Sequence, residues 1–172
     1  HRRWVRRHAD EAGPRYARQP RAAGDGKAVA ASDPQGERRV KEFYESFQPD
    51  GIYKPATYDH AMRAGNTLYV AGQVARDANG DLVAPGDAAA QARQVYANLS
   101  VILEAAGAPR ESVVKVTTYL VNAADSKAVT DVRLEFFGAH RPPHTGLVVA
   151  ALGDPDVRLE VEVIAVMADD LV

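Results

Sequence analysis

The hydrophobic pattern changes period several times along the chain, and each change marks an element. In "AMRAGNTLYVAGQVA", Gly65-Asn66 separates Ala61–Ala64 from "TLYVAG", where Leu68 and Val70 share one face; this predicts a β-hairpin. Asn79-Gly80 in "RDANGDLVAPG" predicts a second turn. The period then becomes helical: Val95, Leu99, Ile102, Leu103 and Ala106 form one stripe, with Asp87 as N-cap and Gly107-Ala108-Pro109 as the stop. "SVVKVTTYLVN" is rich in β-branched residues and reads as a strand. A second helix opens at Asp125 or Ser126, places Val129, Val132 and Phe136 on one face, and ends near Gly138.

Two strands close the pattern, "TGLVVAAL" and "VRLEVEVIAVM", joined by Gly153-Asp154-Pro155. In the last, Val157, Leu159, Val161 and Val163 alternate with Arg158, Glu160, Glu162 and Ile164, a strand with one buried face. Ahead of the hairpin, "VKEFYESF" sets Val40, Phe43, Tyr44 and Phe47 at helical spacing, predicting a short helix stopped by Pro49 and Gly51. Helices interleaved with strands predict an α+β two-layer sandwich, a mixed sheet with both helices on one face. The other face still carries apolar side chains such as Tyr119 and Val121, so an oligomer is expected to cover it.

Composition narrows this picture. The chain has 172 residues, 46% hydrophobic and 26% charged, with a net charge of −2, an ordinary globular balance for one domain. No cysteine is present, which excludes disulfides, thiolate nucleophiles and cysteine zinc sites, and fits a cytoplasmic setting. No apolar run approaches the roughly 18 residues of a membrane span. Residues 1–27 carry eight Arg/Lys against three acids, a net +5 that leaves −7 for the rest. Residues 1–39 are therefore expected to be a basic, poorly structured extension, and residues 40–172 the domain, starting between Val40 and Gln48. Neither membrane nor nucleic acid is an expected partner of that domain.

Candidate chemistry is sparse. His140 and His144 stand four apart, but Pro142-Pro143 breaks any helix between them, and His60 is isolated, so no metal is expected. No G-x-S-x-G elbow, phosphate loop or dinucleotide fingerprint occurs. Arg158, Glu160 and Glu162 project to one side of the last strand. They read either as a solvated face with an Arg–Glu pair, or as a glutamate in a cleft where it holds a water or moves a proton. Tyr58 reads as a core ring with an exposed hydroxyl or as the wall of a ligand site. "RPPHTGLVVAAL" places a rigid proline corner before the penultimate strand.

From about Gln48 to Met167, "PDGIYKPATYDHAMRAGNTLYVAGQVA", "AAAQARQVYANLSVILEAAGA", "VVKVTTYLVN" and "VRLEVEVIAV" follow one another in an order that resembles the Rid family (reactive intermediate deaminase, YjgF-like). The resemblance implies a chorismate-mutase-like fold and a homotrimer with a central barrel and three clefts between subunits. It also implies cofactor-free hydrolysis of enamines or imines to a keto compound and ammonia. Carried over by position, the catalytic glutamate is Glu160, and Tyr58 and Gly72 line the pocket. Thr130 stands where an asparagine on the second helix often supports the site. Thr145 stands where the family keeps the arginine that grips a substrate carboxylate. A neutral hydroxyl replaces a charged, bidentate donor there, which points away from 2-aminoacrylate as substrate. The alternative is a non-catalytic member that binds a small metabolite in the same clefts.

Overall fold

The computed structural model describes residues 43–168. The extension expected over residues 1–39, and Val40 of the expected first helix, lie outside the described residues. Six strands form one sheet: β1 (Tyr44–Phe47), β2 (Ala61–Ala64), β3 (Thr67–Gln73), β4 (Val113–Leu120), β5 (His144–Val148) and β6 (Leu159–Val166). Two helices, α1 (Ala88–Ala105) and α2 (Ser126–Phe137), separate β3 from β4 and β4 from β5. The sheet order is β1-β2-β3-β6-β4-β5, with β4 and β5 parallel and every other pair antiparallel. The mixed sheet, the Gly65-Asn66 hairpin and both long helices fall where the hydrophobic periods place them.

The first element differs. Tyr44–Phe47 is a strand, paired with β2 from Tyr44↔Ala64 to Phe47↔Ala61, and not part of a helix. Four residues cannot offset the cost of a helical nucleus, whereas β2 offers a ready line of backbone partners. Phe43 and Tyr44 of the expected stripe are 74% and 38% exposed, and Phe47 alone of the described stripe residues packs against the core.

Burial follows the alternation read from the sequence. Leu159, Val161 and Val163 are buried on β6, beside Leu68 and Val70 of β3 and Val116 of β4. Leu99, Ile102 and Val95 of α1 complete this core, all fully shielded from solvent. Asp87 caps α1, its carboxylate accepting from Ala90 N at 3.0 Å, which satisfies one of the free amides of the first turn. α2 rests on α1 through aromatic contact, the Tyr96 and Phe136 rings 4.8 Å apart.

Among the described residues, no helix lies over the opposite face of the sheet. Tyr69, Leu147 and Met62 are exposed there, and Glu160, Glu162, Lys115 and Tyr119 stand among them half-buried. Among the described residues no helix is long and apolar enough to cross a membrane.

Candidate functional site

Glu160 reaches the uncovered face because β6 alternates. Val161 on one side of it and Leu159 on the other point into the core. Across from it, β3 carries an irregularity. Val70 pairs with Val163 and Gln73 with Val161, so three steps on β3 match two on β6, a bulge at Ala71-Gly72. The bulge lets Val70 and Gln73 both face the core and brings the Gly72 backbone under the Glu160 side chain. A Cβ at Gly72 would lie 1.8 Å from Glu160 Oε1, so only glycine leaves room for the carboxylate in this position.

Tyr58 closes the arrangement from the segment before β2. Gln48 Nε2 donates to the Tyr58 carbonyl at 2.7 Å and fixes its backbone. The buried His60 follows, its Nε2 bonded to the Tyr53 carbonyl and its own carbonyl accepting from Ala71 N at 2.9 Å. That last bond ties the Tyr58 segment directly to the bulge.

The result is a cleft of about 440 Å³ lined by Tyr58, Gly72, Arg76, Asp154, Val157 and Glu160. A second, more apolar cleft of about 560 Å³ shares Tyr58 and Ala71 with it and continues over Tyr69, Lys115 and Glu162. The smaller cleft differs in holding a carboxylate with no partner. Glu160 has no hydrogen-bond partner among the described side chains, whereas Glu162 accepts from the Tyr119 hydroxyl at 3.1 Å.

Burial, and then the neighbouring Glu162 charge, pushes the Glu160 carboxyl above the usual carboxylate range. The Tyr58 hydroxyl is likewise raised, first by burial and then by the Glu160 charge. A half-buried carboxylate with a raised pKa and no partner is suited to accept a proton from water.

The five residues singled out in the sequence distribute as follows. Tyr58, Gly72 and Glu160 surround one cleft. Thr145 lies on β5, two strands from β6, opposite Thr117 in register, and its hydroxyl accepts a hydrogen bond from the Lys115 ammonium. Thr130 is half-buried on α2.

Arg158 leaves the two glutamates and pairs with Asp125, its Nη2 2.6 Å from Oδ2, so the expected Arg–Glu pairing on β6 is replaced by a clamp on the start of α2. His140 bonds the Val113 carbonyl and His144 the buried Thr118 hydroxyl. Among the described residues no group of three or more His, Asp or Glu is placed to hold a metal ion.

Two buried amides were not singled out in the sequence, although their spacing is a signal. Gln91 and Asn98 sit at i and i+7 on α1, within the stripe of Val95 and Ile102. Asn98 Nδ2 donates to the Arg76 carbonyl at 3.0 Å and holds the chain leaving β3. Gln91 Nε2 donates to the Asp156 carbonyl at 2.9 Å, and its Oε1 accepts from Arg158 N at 2.8 Å, holding the chain that leads into β6. One helix face thus fixes both rims of the cleft. Gln91→Leu strands these backbone groups in the interior and is expected to cost about 2–3 kcal/mol, read from urea unfolding. A loss under about 0.5 kcal/mol would remove Gln91 from this role.

An α+β sheet with one uncovered face and a carboxylate-lined cleft on it describes the class of protein. The family model described as Endoribonuclease L-PSP matches residues 50–167. The chain belongs to this family, which takes in the RutC and Rid proteins.

Similar proteins include a RutC family protein of Pyrococcus horikoshii, 40% identical over 108 residues, covering 63% of this chain and 85% of that protein. A 2-iminobutanoate/2-iminopropanoate deaminase of Bos taurus is 39% identical over 110 residues, covering 63% and 79%. Among solved structures, the Rid-family protein YyfA of Yersinia pestis superposes with a TM-score of 0.69 at 28% identity, covering 72% of this chain and 99% of that one.

Proposed function

We propose that the protein is a cofactor-free hydrolytic deaminase of a small enamine or imine, working as a homotrimer with its clefts between copies. The observation that carries this reading is the unpartnered Glu160 carboxylate above Gly72, beside Tyr58, with its pKa raised by burial. The names of relatives such as the bovine imine deaminase support it.

Water adds to the imine carbon while Glu160 takes a proton from it, so a C–O bond forms. That proton passes to nitrogen to give the amino alcohol; the hydroxyl proton then follows it by way of Glu160, the C=O bond forms as the C–N bond breaks, and a ketone and ammonia leave. The Gly72 backbone and Tyr58 shape the pocket. Thr145, on the free outer strand β5, enters the cleft of a neighbouring copy, with Thr130 supporting the site from α2. The exposed Tyr69 and Leu147 of the uncovered face become buried in the trimer.

Ammonia release over a panel of imines and enamines, above the spontaneous rate, tests the activity, and light scattering tests the trimer. The expected outcome is catalysed release by a particle of three chains. Stabilisation by a ligand with no ammonia release from any compound would instead identify a metabolite-binding member of the family.

A further inference from the structure

With threonine at position 145, the cation that meets an acidic substrate must come from elsewhere. Arg141, His144 and Lys115 do not line the cleft of Glu160: Arg141 donates to the Gly138 and His140 carbonyls, His144 turns to Thr118, and Lys115 bonds Thr145. Among the described residues, Arg76 is the cation that lines the cleft of Glu160. We propose that Arg76 binds the carboxylate of the substrate, so that the cleft selects acid imines over their neutral esters and amides. This rests on the reading of the cleft as an imine site and names the substrate class.

The mounting of Arg76 is that of a preorganised donor. Its amide donates to the Val74 carbonyl at 2.8 Å, and its carbonyl accepts from Asn98. It forms an antiparallel bridge with Leu82 at the base of a tight loop, in which Asp77 Oδ1 accepts from Asn79 N and Asp81 N. Gly80 in that loop has φ +90°, and a Cβ there would meet the Tyr53 ring at 2.8 Å, so the loop is held close to its neighbours.

The guanidinium itself is anchored at one point, Nη1 donating to the Gly80 carbonyl at 2.7 Å. Its second contact, Nη2 to Asp154 Oδ2, is long at 3.3 Å, and both side chains are about one-third exposed. Two of the five guanidinium N–H groups are thus used, and three remain for a ligand. Asp154 lines the same cleft and occupies the cation in the absence of substrate. An incoming carboxylate replaces one such contact with a closer, two-pronged one.

The distribution across the cleft suits a 2-imino acid. The ion pair of Arg76 is with Asp154, so Glu160 stays free to face water. Tyr58, Glu160 and Arg76 line this one cleft, and the Tyr58 hydroxyl feels both charges, its pKa raised by Glu160 and lowered by Arg76. A substrate lying along Tyr58 places its carboxylate at Arg76 and its imine carbon toward Glu160.

Calorimetric binding of pyruvate and of methyl pyruvate to the full chain tests this without requiring turnover. The wild type is expected to bind the acid about 10-fold or more tightly than the ester. Arg76→Gln brings the two affinities together by weakening the acid alone, and Arg76→Lys restores part of the difference. Asp154→Asn removes the competing carboxylate and tightens the acid about 3-fold with the ester unchanged. A wild type with no preference for the acid, or an acid preference that survives Arg76→Gln, overturns the assignment. If Arg76→Gln does not fold, an Asp154→Asn variant with unaltered acid affinity overturns it as well. Acid-selective binding without ammonia release would sink the deaminase reading and leave the Arg76 assignment standing.

Discussion

Glu160→Gln lowers the rate of imine hydrolysis by about 10²–10⁴-fold, the usual worth of a positioned proton acceptor. Glutamine keeps the shape of the side chain above Gly72 and removes only its ability to take a proton from water. The loss is therefore expected in kcat, with ligand affinity little changed. The raised Glu160 pKa also sets the pH dependence. Activity falls on the acid side as Glu160 takes up its proton, and that limb lies at higher pH than for an ordinary exposed glutamate.

Stability moves the other way. The native state holds the Glu160 proton more tightly than the unfolded chain does. The stability this provides is complete below the unfolded pKa and disappears as the pH rises through the folded one. At neutral pH the ionised carboxylate is a burden on the fold, so Glu160→Gln raises Tm there and gains nothing in acid. Thermal melts across pH beside ammonia-release rates make the check. A variant that is less stable at neutral pH, or that keeps its rate, would remove Glu160 from the centre of the chemistry.

Such a trade of stability for a usable carboxylate explains which parts of the molecule the sequence discloses. The β6 alternation, the Asp87 cap and the Gly65-Asn66 turn are local rules, satisfied by residues a few positions apart, and the structure follows each of them. β1 defies its helical spacing because its partner, β2, lies beyond a segment of irregular chain, and backbone pairing at a distance leaves no periodic trace.

The same reason hides Arg158 and Asp125, which meet across 33 positions. Arg76 is hidden differently. Nothing in "QVARDANG" distinguishes it from a surface arginine until the bulge at Ala71-Gly72 turns the end of β3 toward Asp154. Gln91 and Asn98 were accessible in principle, since two amides within an apolar stripe demand buried partners. Periodicity counts apolar positions and passes over the polar ones that interrupt them.

Gly72→Ala separates geometry from chemistry at the same place. The added methyl would sit 1.8 Å from Glu160 Oε1, 2.6 Å from Cδ and 2.9 Å from Cγ, contacts no structure tolerates. The neighbour it strikes is the end of a flexible side chain rather than backbone. Glu160 therefore rotates aside, and the fold loses only about 1 kcal/mol. Catalysis has no such tolerance, because a displacement of about 1 Å at the reacting group costs on the order of 10²-fold. Activity is thus expected to fall about 100-fold in a protein whose Tm drops by only about 3–5 °C. The double variant Gly72→Ala, Glu160→Gln decides how the loss arises. If alanine acts by moving the carboxylate, it adds nothing once the carboxylate is gone, and the double variant matches Glu160→Gln alone. If the two losses multiply, Gly72 acts on the substrate directly, through a backbone that the methyl shields, and the bulge is a binding element in its own right rather than a seat for Glu160.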